Sequence, residues 1–331
     1  MKVGINGFGR IGRLVFKIAL DSGIDVVAIN DVVPADVCAH LLKYDSVFGR
    51  YKRKVEVKGN SIIIDGEKEI KVFSETDPEK IPWDKIGADL VVESTGKFTE
   101  RDKAEKHLKA GAKKVVITAP AKNPDITIVI GVNENQYSPS HKIISNASCT
   151  TNCFAMLVKV LHENFKIKYG ELTTIHSYTN DQRIIDAPHK DLRRARSAAT
   201  NIIPTSTGAA KAIYEIFPEL KGRLSALAIR VPTQDASVCD FSCVVEKKTD
   251  KEEVNQVFKD YAEKKLKRLL EYTEDEIVSS DVIGNPASCV FDSKLTEVVD
   301  GNFVKVIGWY DNEYGYASRV VDLIKIVQEK G

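Results

Sequence analysis

The first thirty residues constrain the fold most. Val3-Gly4-Ile5-Asn6 reads as a short strand and runs into Gly7-Phe8-Gly9-Arg10-Ile11-Gly12, a G-x-G-x-x-G pattern. Ile11, Leu14, Val15, Ile18 and Ala19 then fall on one face of a helix. A second strand, Val26-Val27-Ala28-Ile29, ends at Asn30-Asp31. Strand, glycine turn, striped helix and strand make a βαβ unit of the Rossmann type. Its glycines allow a tight turn and close backbone approach, so a pyrophosphate would sit on the helix N-terminus. Asp31 is placed to accept from a ribose 2′-hydroxyl and would repel the extra phosphate of NADP, which favours NAD. The competing reading is a glycine turn that serves helix–sheet packing alone.

Alternation then pauses. Between residues 50 and 73, short strand-like runs (Val55-Glu56-Val57, Ile62-Ile63-Ile64, Ile70-Lys71-Val72) joined by Gly-containing turns predict an antiparallel ribbon inserted in this domain. Further strands are expected at Leu90-Val91-Val92, Val115-Val116-Ile117 and Ile126 to Ile130, with a helix over Thr99 to Ala110. Ser94-Thr95-Gly96 and Thr118-Ala119-Pro120 lie just past strand C-terminal ends, where open α/β sheets bind ligands.

Past residue 149 the pattern changes to longer strands, at Leu172 to Tyr178, Leu224 to Val231, Ser237 to Val245 and Phe303 to Tyr310, with helices at 149–166, 209–217 and 251–270. The fold class expected is α/β: a Rossmann-type dinucleotide-binding domain plus an α+β catalytic domain with a largely antiparallel sheet. The boundaries expected are 1–148 with 312–331 for the first domain and 149–311 for the second. The final helix carries Ala317, Val320, Val321, Ile324 and Val327 on one face and needs an apolar groove, expected on the first domain.

The chemistry centres on Ser145-Asn146-Ala147-Ser148-Cys149-Thr150-Thr151-Asn152-Cys153, which joins a strand to a helix. Cys149 would lie at the helix N-terminus, where free N–H groups and the macrodipole favour a thiolate. Lowering its pKa from ~8.5 to ~6.5 raises the thiolate share at pH 7 from about 3% to about 75%. The plainer alternative is a packed thiol beside a Ser148 helix cap. His176, on a strand face with Thr174 and Tyr178, is the candidate base, although a lone strand histidine often serves structure. Arg193, Arg194, Arg196, Arg230 and the turn Thr205-Ser206-Thr207-Gly208 before a helix suit anion binding; a solvated face or an oligomer interface would use the same arginines. Together these parts allow thiolate addition to an aldehyde, hydride loss to NAD⁺ and discharge of the thioester by water or phosphate.

Forty-eight Lys and Arg against forty-seven Asp and Glu leave a net charge of +1, which gives no bulk attraction to nucleic acid or membrane. Six cysteines without a C-x-x-C pair give no disulfide framework, and no Cys/His grouping has zinc spacing, so no metal is expected. A chain that starts directly on a strand, with no apolar run of spanning length, reads as cytoplasmic.

The runs Ile5 to Arg13, Ser145 to Cys153, Arg230-Val231-Pro232-Thr233 and Trp309-Tyr310-Asp311-Asn312-Glu313 resemble the phosphorylating glyceraldehyde-3-phosphate dehydrogenases over essentially the whole chain. The resemblance implies a glycolytic, NAD-dependent homotetramer that oxidises glyceraldehyde 3-phosphate, with inorganic phosphate, to 1,3-bisphosphoglycerate. It implies Cys149 as nucleophile and His176 as base, with the Cys149 main-chain N–H and His176 stabilising the hemithioacetal oxygen. Thr179 and Arg230 would hold the substrate's C3 phosphate, and Ser148, Thr150, Arg194, Thr207 and Gly208 the attacking phosphate. Gly7, Gly9, Arg10, Ile11, Gly12, Asp31 and Thr118 would bind the cofactor, with Asn312 on the nicotinamide carboxamide. The loop from Tyr178 to Thr200 resembles the segment that packs in the tetramer core. Two departures stand out: Thr76 where relatives often have Arg, and Ala187 beside Pro188, a mixture of patterns from NAD-specific and NADP-tolerant members. Erythrose-4-phosphate dehydrogenase is the neighbouring alternative. A nucleic-acid-binding or redox-sensing module is the alternative from another class, as a secondary role.

Overall fold

The strand–turn–helix–strand unit forms as its periodicity requires. In the computed structural model, which describes all 331 residues, Lys2–Asn6 pairs in parallel with Val26–Asn30 through the helix Arg10–Asp21. The chain returns on the other side of Lys2–Asn6, where Ala88–Glu93 also pairs with it in parallel. The strand order therefore reverses at Lys2–Asn6, and the C-terminal ends of these three strands form the switch point of the sheet.

Nine strands complete this sheet, in the order Ile126–Thr127, Ile143–Ser145, Lys114–Ile117, Ala88–Glu93, Lys2–Asn6, Val26–Asn30, Lys68–Phe73, Ser61–Ile64 and Val55–Lys58. The expected antiparallel ribbon is present, and its last strand also pairs in parallel with Val26–Asn30, so the ribbon extends the main sheet. The strand expected over Ile126 to Ile130 stops at Thr127. The helix expected over Thr99 to Ala110 runs from Arg101 to Lys109.

A second sheet runs in the order Ile203–Ser206, Leu224–Val231, Ile167–Ser177, Ser237–Val245, Phe303–Tyr310, Cys289–Asp292 and Leu270–Thr273, with Glu297–Val299 also on Phe303–Tyr310. Its pairs are antiparallel except Ile167–Ser177 with Leu224–Val231 and Leu270–Thr273 with Cys289–Asp292. The fold class is thus α/β, a Rossmann-type sheet and a largely antiparallel α+β sheet. By compactness the chain divides into residues 1–128, 135–147 and 317–331 in one unit and residues 129–134 and 148–316 in the other.

The second unit is built on the helix Cys149–Phe165. Residues Thr150 to Val158 are all buried, so this helix is apolar on more than one face. It lies on the strands Ser237–Val245 and Phe303–Tyr310, with the helices Ala209–Ile216 and Lys251–Asp260 also against it. Phe154 meets Phe241 edge-on, ring centroids 4.9 Å apart. The single helix expected over 251–270 is shorter: Lys251–Asp260 passes into a π turn at Tyr261–Lys265, and the chain enters a strand at Leu270. Arg268, at φ +64°, lies in the turn that follows Lys265, and Leu269 and Leu270 after it are buried.

Two glycines of the first turn are fixed by space. Gly7 has φ +90°, and a Cβ there would stand 2.7 Å from the Thr95 nitrogen. A Cβ on Gly12 would stand 2.0 Å from the Gly7 carbonyl oxygen, a backbone atom that cannot swing away. Gly12→Ala should therefore lower stability by about 1–3 kcal/mol or more, read as a fall in thermal midpoint. A midpoint equal to the parent's would contradict this packing.

Candidate active site

Helix Cys149–Phe165 owes its start to the residues just before it. Ala147, at φ +55°, turns the chain out of the strand Ile143–Ser145. The Ser148 hydroxyl caps the helix by accepting the Thr151 N–H at 3.0 Å and lies 2.7 Å from the Thr151 hydroxyl. Ser148 is thus the N-cap and Cys149 the first helical residue, with its own N–H unused by the helix.

His176 reaches the thiol from the strand Ile167–Ser177, its Nε2 3.5 Å from Cys149 Sγ. His176 and Arg230 are register partners on parallel strands, which brings two residues 54 apart in sequence side by side. Nδ1 lies 2.7 Å from the Ser177 carbonyl oxygen, and Arg230 Nη1 donates to the same oxygen at 3.1 Å. A carbonyl only accepts, so Nδ1 carries the proton and the Nε2 lone pair faces the sulfur. The 2.9 Å approach of Nη1 to Nδ1 is that of two donors sharing one acceptor. Behind the pair, the Tyr310 hydroxyl bridges Thr150 Oγ1 and Thr174 Oγ1, both at 2.9 Å.

Electrostatics here differ from the expected low-pKa thiol. Burial pushes the Cys149 thiol up to about 11, against the Arg230 charge and the Thr150 N–H and hydroxyl, which pull it down. Burial pushes His176 down to about 3, helped by Arg230 and opposed by the Ser177 carbonyl. Desolvation is the largest influence on both groups, and at neutral pH the pair is thiol and imidazole, poised for proton transfer from Sγ to Nε2.

The other expected residues divide into groups. Thr179 opens a turn in which its N–H donates to Gln182 Oε1 at 3.2 Å and its carbonyl accepts the Gln182 N–H. Gln182 Nε2 and Arg230 Nε are buried without partners, donors an anion would satisfy. Thr150 turns its hydroxyl to Tyr310. The Arg194 guanidinium is held by Asp181, by Thr205 Oγ1 at 2.9 Å and by the Ser206 carbonyl at 3.1 Å. The Thr207 hydroxyl accepts the Ala209 N–H at 3.2 Å, and Gly208 is the N-cap of Ala209–Ile216. Asn312 Oδ1 accepts from the hydroxyls of Ser177 at 3.0 Å and Ser237 at 2.7 Å, which fixes the amide with Nδ2 on the opposite side. Tyr310 and Ser237 were given no role from sequence; the signal that could have found them is their pairing across the sheet, Ser237 opposite Tyr310.

In the first unit, the helix Arg10–Asp21 begins at Gly9 without a side-chain cap or an acidic residue in its first turn, a helix N-terminus whose dipole suits an anion. A Cβ on Gly9 would meet no protein atom, so glycine there suits a ligand lying against the turn. Asp31 Oδ2 accepts the Phe8 N–H at 2.6 Å, leaving Oδ1 for a ribose hydroxyl. The Arg10 side chain is engaged by Asp45 at 2.7 Å and lies over the Phe48 ring. Thr118 donates its N–H to the Glu93 carbonyl at 3.0 Å. Gly7, Gly9, Gly12 and Asp31 together fit a dinucleotide.

Arg230 sets a testable sign. Its charge lowers both His176 and Cys149, so Arg230→Gln should raise the pH at which His176 takes up a proton and slow Cys149 alkylation at a fixed alkaline pH. NMR titration of the imidazole and iodoacetamide kinetics measure the two. A downward move of His176 would contradict the assignment.

Two family models match. One, described as "Glyceraldehyde 3-phosphate dehydrogenase, NAD binding domain", covers residues 1–101, and the other, its "C-terminal domain", covers residues 148–312. Curated relatives named glyceraldehyde-3-phosphate dehydrogenase align along almost their whole length. That of Geobacillus stearothermophilus is 58% identical over 333 residues, 100% of this chain and 99% of its own. That of Thermotoga maritima is 59% identical over 329 residues, 98% of each chain. Glyceraldehyde-3-phosphate dehydrogenase 1 of Bacillus subtilis is 55% identical over 333 residues, 100% of this chain and 99% of its own.

Proposed function

The chain belongs to the glyceraldehyde-3-phosphate dehydrogenase family, and from that premise we propose that it oxidises D-glyceraldehyde 3-phosphate with NAD⁺ and inorganic phosphate to 1,3-bisphosphoglycerate, with Cys149 as nucleophile and His176 as base. The observation that carries this reading is Cys149 Sγ at the head of a helix, 3.5 Å from His176 Nε2, with the half-buried Arg230 on the far side of the imidazole. Residues 1–148 with 312–331 serve as the NAD-binding domain and 149–311 as the catalytic domain.

The neutral pair sets the first step. His176 Nε2 takes the Sγ proton as sulfur adds to the aldehyde carbon and hands it to the new oxygen, giving a hemithioacetal whose hydroxyl is held by the Cys149 N–H and by the again neutral His176. Gly7, Gly9, Gly12 and Asp31 would hold NAD⁺, which would supply the hydride acceptor. His176 Nε2 takes the hydroxyl proton as the carbon becomes a thioester carbonyl. An oxygen of inorganic phosphate then attacks the thioester, and the Cys149 sulfur leaves and regains its proton. Thr179 and Arg230 hold the C3 phosphate, a role supported by the unpartnered Nε of Arg230. Thr207 and Gly208 at the head of Ala209–Ile216 receive the attacking phosphate with Arg194, Ser148 and Thr150 around it. Asn312 holds the nicotinamide carboxamide through Nδ2. Asp31 on the ribose makes NAD the cofactor. The erythrose-4-phosphate alternative is not favoured by relatives of this identity.

A homotetramer is the proposed assembly. It is supported by an exposed apolar row across the second sheet, Tyr169, Val299 and Phe303 at 59, 58 and 43% exposure, and by Ile184 and Leu192 at 84 and 81% in the 178–200 loop. The cytoplasm is its proposed location; no helix is long and apolar enough to cross a membrane.

The test is NADH formation from glyceraldehyde 3-phosphate and NAD⁺ with and without phosphate. A burst limited to the site concentration without phosphate, and sustained turnover with it, is expected; Cys149→Ser should lose both. Equal turnover without phosphate would mean hydrolysis of the thioester and overturn the phosphorylating reading.

A further inference from the structure

At the switch point of the first sheet lies a buried polar relay that the reaction above does not use. Trp83 Nε1 donates to His107 Nδ1 at 3.1 Å, and His107 Nε2 lies 2.9 Å from Glu93 Oε2. From the other side, Asn30 Nδ2 donates to Asn6 Oδ1 at 2.8 Å, and Asn6 Nδ2 donates to the same Glu93 oxygen at 2.6 Å. Asn6, Asn30, Trp83, Glu93 and His107 are all at most 3% exposed.

Two groups that can only donate fix every orientation. The Trp83 indole N–H requires an unprotonated His107 Nδ1, so the imidazole is neutral and its proton sits on Nε2, facing Glu93. The Glu75 main-chain N–H donates to Asn30 Oδ1 at 2.9 Å, which turns the Asn30 amide nitrogen to Asn6 and the Asn6 nitrogen to Glu93. His107 Nε2 and Asn6 Nδ2, 3.4 Å apart, are two donors side by side on one oxygen. The other carboxylate oxygen accepts the Thr95 N–H at 2.8 Å and the Thr95 hydroxyl. Four neutral donors surround a group that only accepts, which is the coordination of a carboxylate anion.

The residues of the proposed cofactor turn depend on this anion's neighbours. The Gly7 N–H bonds the Asn30 carbonyl at 2.8 Å, and the Thr118 N–H bonds the Glu93 carbonyl at 3.0 Å. Thr95, held on Glu93, is the residue whose nitrogen would meet a Cβ on Gly7. The carboxylate thereby couples the ends of three strands at the place where an open α/β sheet binds its ligand. We propose that Glu93 is a positioning residue for NAD, the buried acceptor that fixes the Gly7 turn and Thr95, with His107 and Trp83 fixing Glu93 in turn. The inference rests on the reading that this turn binds NAD.

Calorimetric titration with NAD⁺ of the full-length protein tests it with three proteins. His107→Leu removes the donor to Glu93 and the acceptor for Trp83, and should raise the NAD⁺ Kd about tenfold, with kcat at saturating NAD⁺ within about twofold of the parent. His107→Gln, whose carboxamide can accept from the indole and donate to Glu93, should restore most of the affinity. A His107→Leu protein that is less heat-stable but binds NAD⁺ as the parent does would overturn the proposal and leave the relay a folding element. No NAD⁺ binding by the parent would overturn the underlying reading instead. Should His107→Leu not fold, the Trp83 indole ¹⁵N–¹H resonance of the parent, assigned with Trp83→Phe, decides: movement on NAD⁺ addition supports the coupling, and a stationary resonance overturns it.

Discussion

Burial of the helix Cys149–Phe165 is the constraint on which the second unit depends. The sheet, the helices Ala209–Ile216 and Lys251–Asp260, and the Ser148 cap all converge on it. The same burial governs the chemistry at its head. It raises the thiol and lowers the imidazole, so neither carries a standing charge. In that low-dielectric setting the fixed groups gain strength: the Cys149 N–H, the helix dipole and Arg230 act on charge as it develops rather than on charge already present. The resting neutrality of the pair and its capacity for proton transfer have one origin.

Both units use the same local device, an acceptor-only group on which several donors converge. In the second unit it is the Ser177 carbonyl, which takes Nδ1 of His176 and Nη1 of Arg230 and so leaves Nε2 as a base. In the first it is Glu93, which takes His107, Asn6 and Thr95. Each arrangement removes tautomeric and rotational freedom from a buried polar residue through hydrogen bonds to one acceptor. Groups preorganised this way need not reorient during the reaction.

What was legible in the sequence was what is local. The βαβ opening shows in the spacing of Gly7, Gly9 and Gly12 and in the stripe from Ile11 to Ala19, because turn geometry and helical period act over a few residues. Cys149 was legible from the small polar run before an apolar helix, and His176 from strand alternation. The pairing of His176 with Arg230 was not, since parallel register joins residues 54 apart. The relay through Glu93 spans 87 residues to Asn6 and takes His107 from a helix and Trp83 from another segment. The burial that raises the thiol was not legible, because helix position can be read locally whereas the surroundings of Sγ depend on the whole unit. The short strands at 203–206, 270–273 and 289–292 were missed because their pairing is decided by neighbours far along the chain. The helix expected to reach residue 270 ends in a π turn at Tyr261–Lys265, and the turn after it holds Arg268 at positive φ, neither of which apolar spacing records.

The central claim is that the acyl group of the substrate passes through the Cys149 sulfur. Mass spectrometry of the protein quenched in acid after mixing with NAD⁺ and glyceraldehyde 3-phosphate, with phosphate omitted, tests it most directly. The account predicts one 3-phosphoglyceroyl group per chain, located by fragmentation on Cys149 and lost when phosphate is added before the quench. Acylation of another residue, or NADH formation with no acylated protein under these conditions, would contradict it.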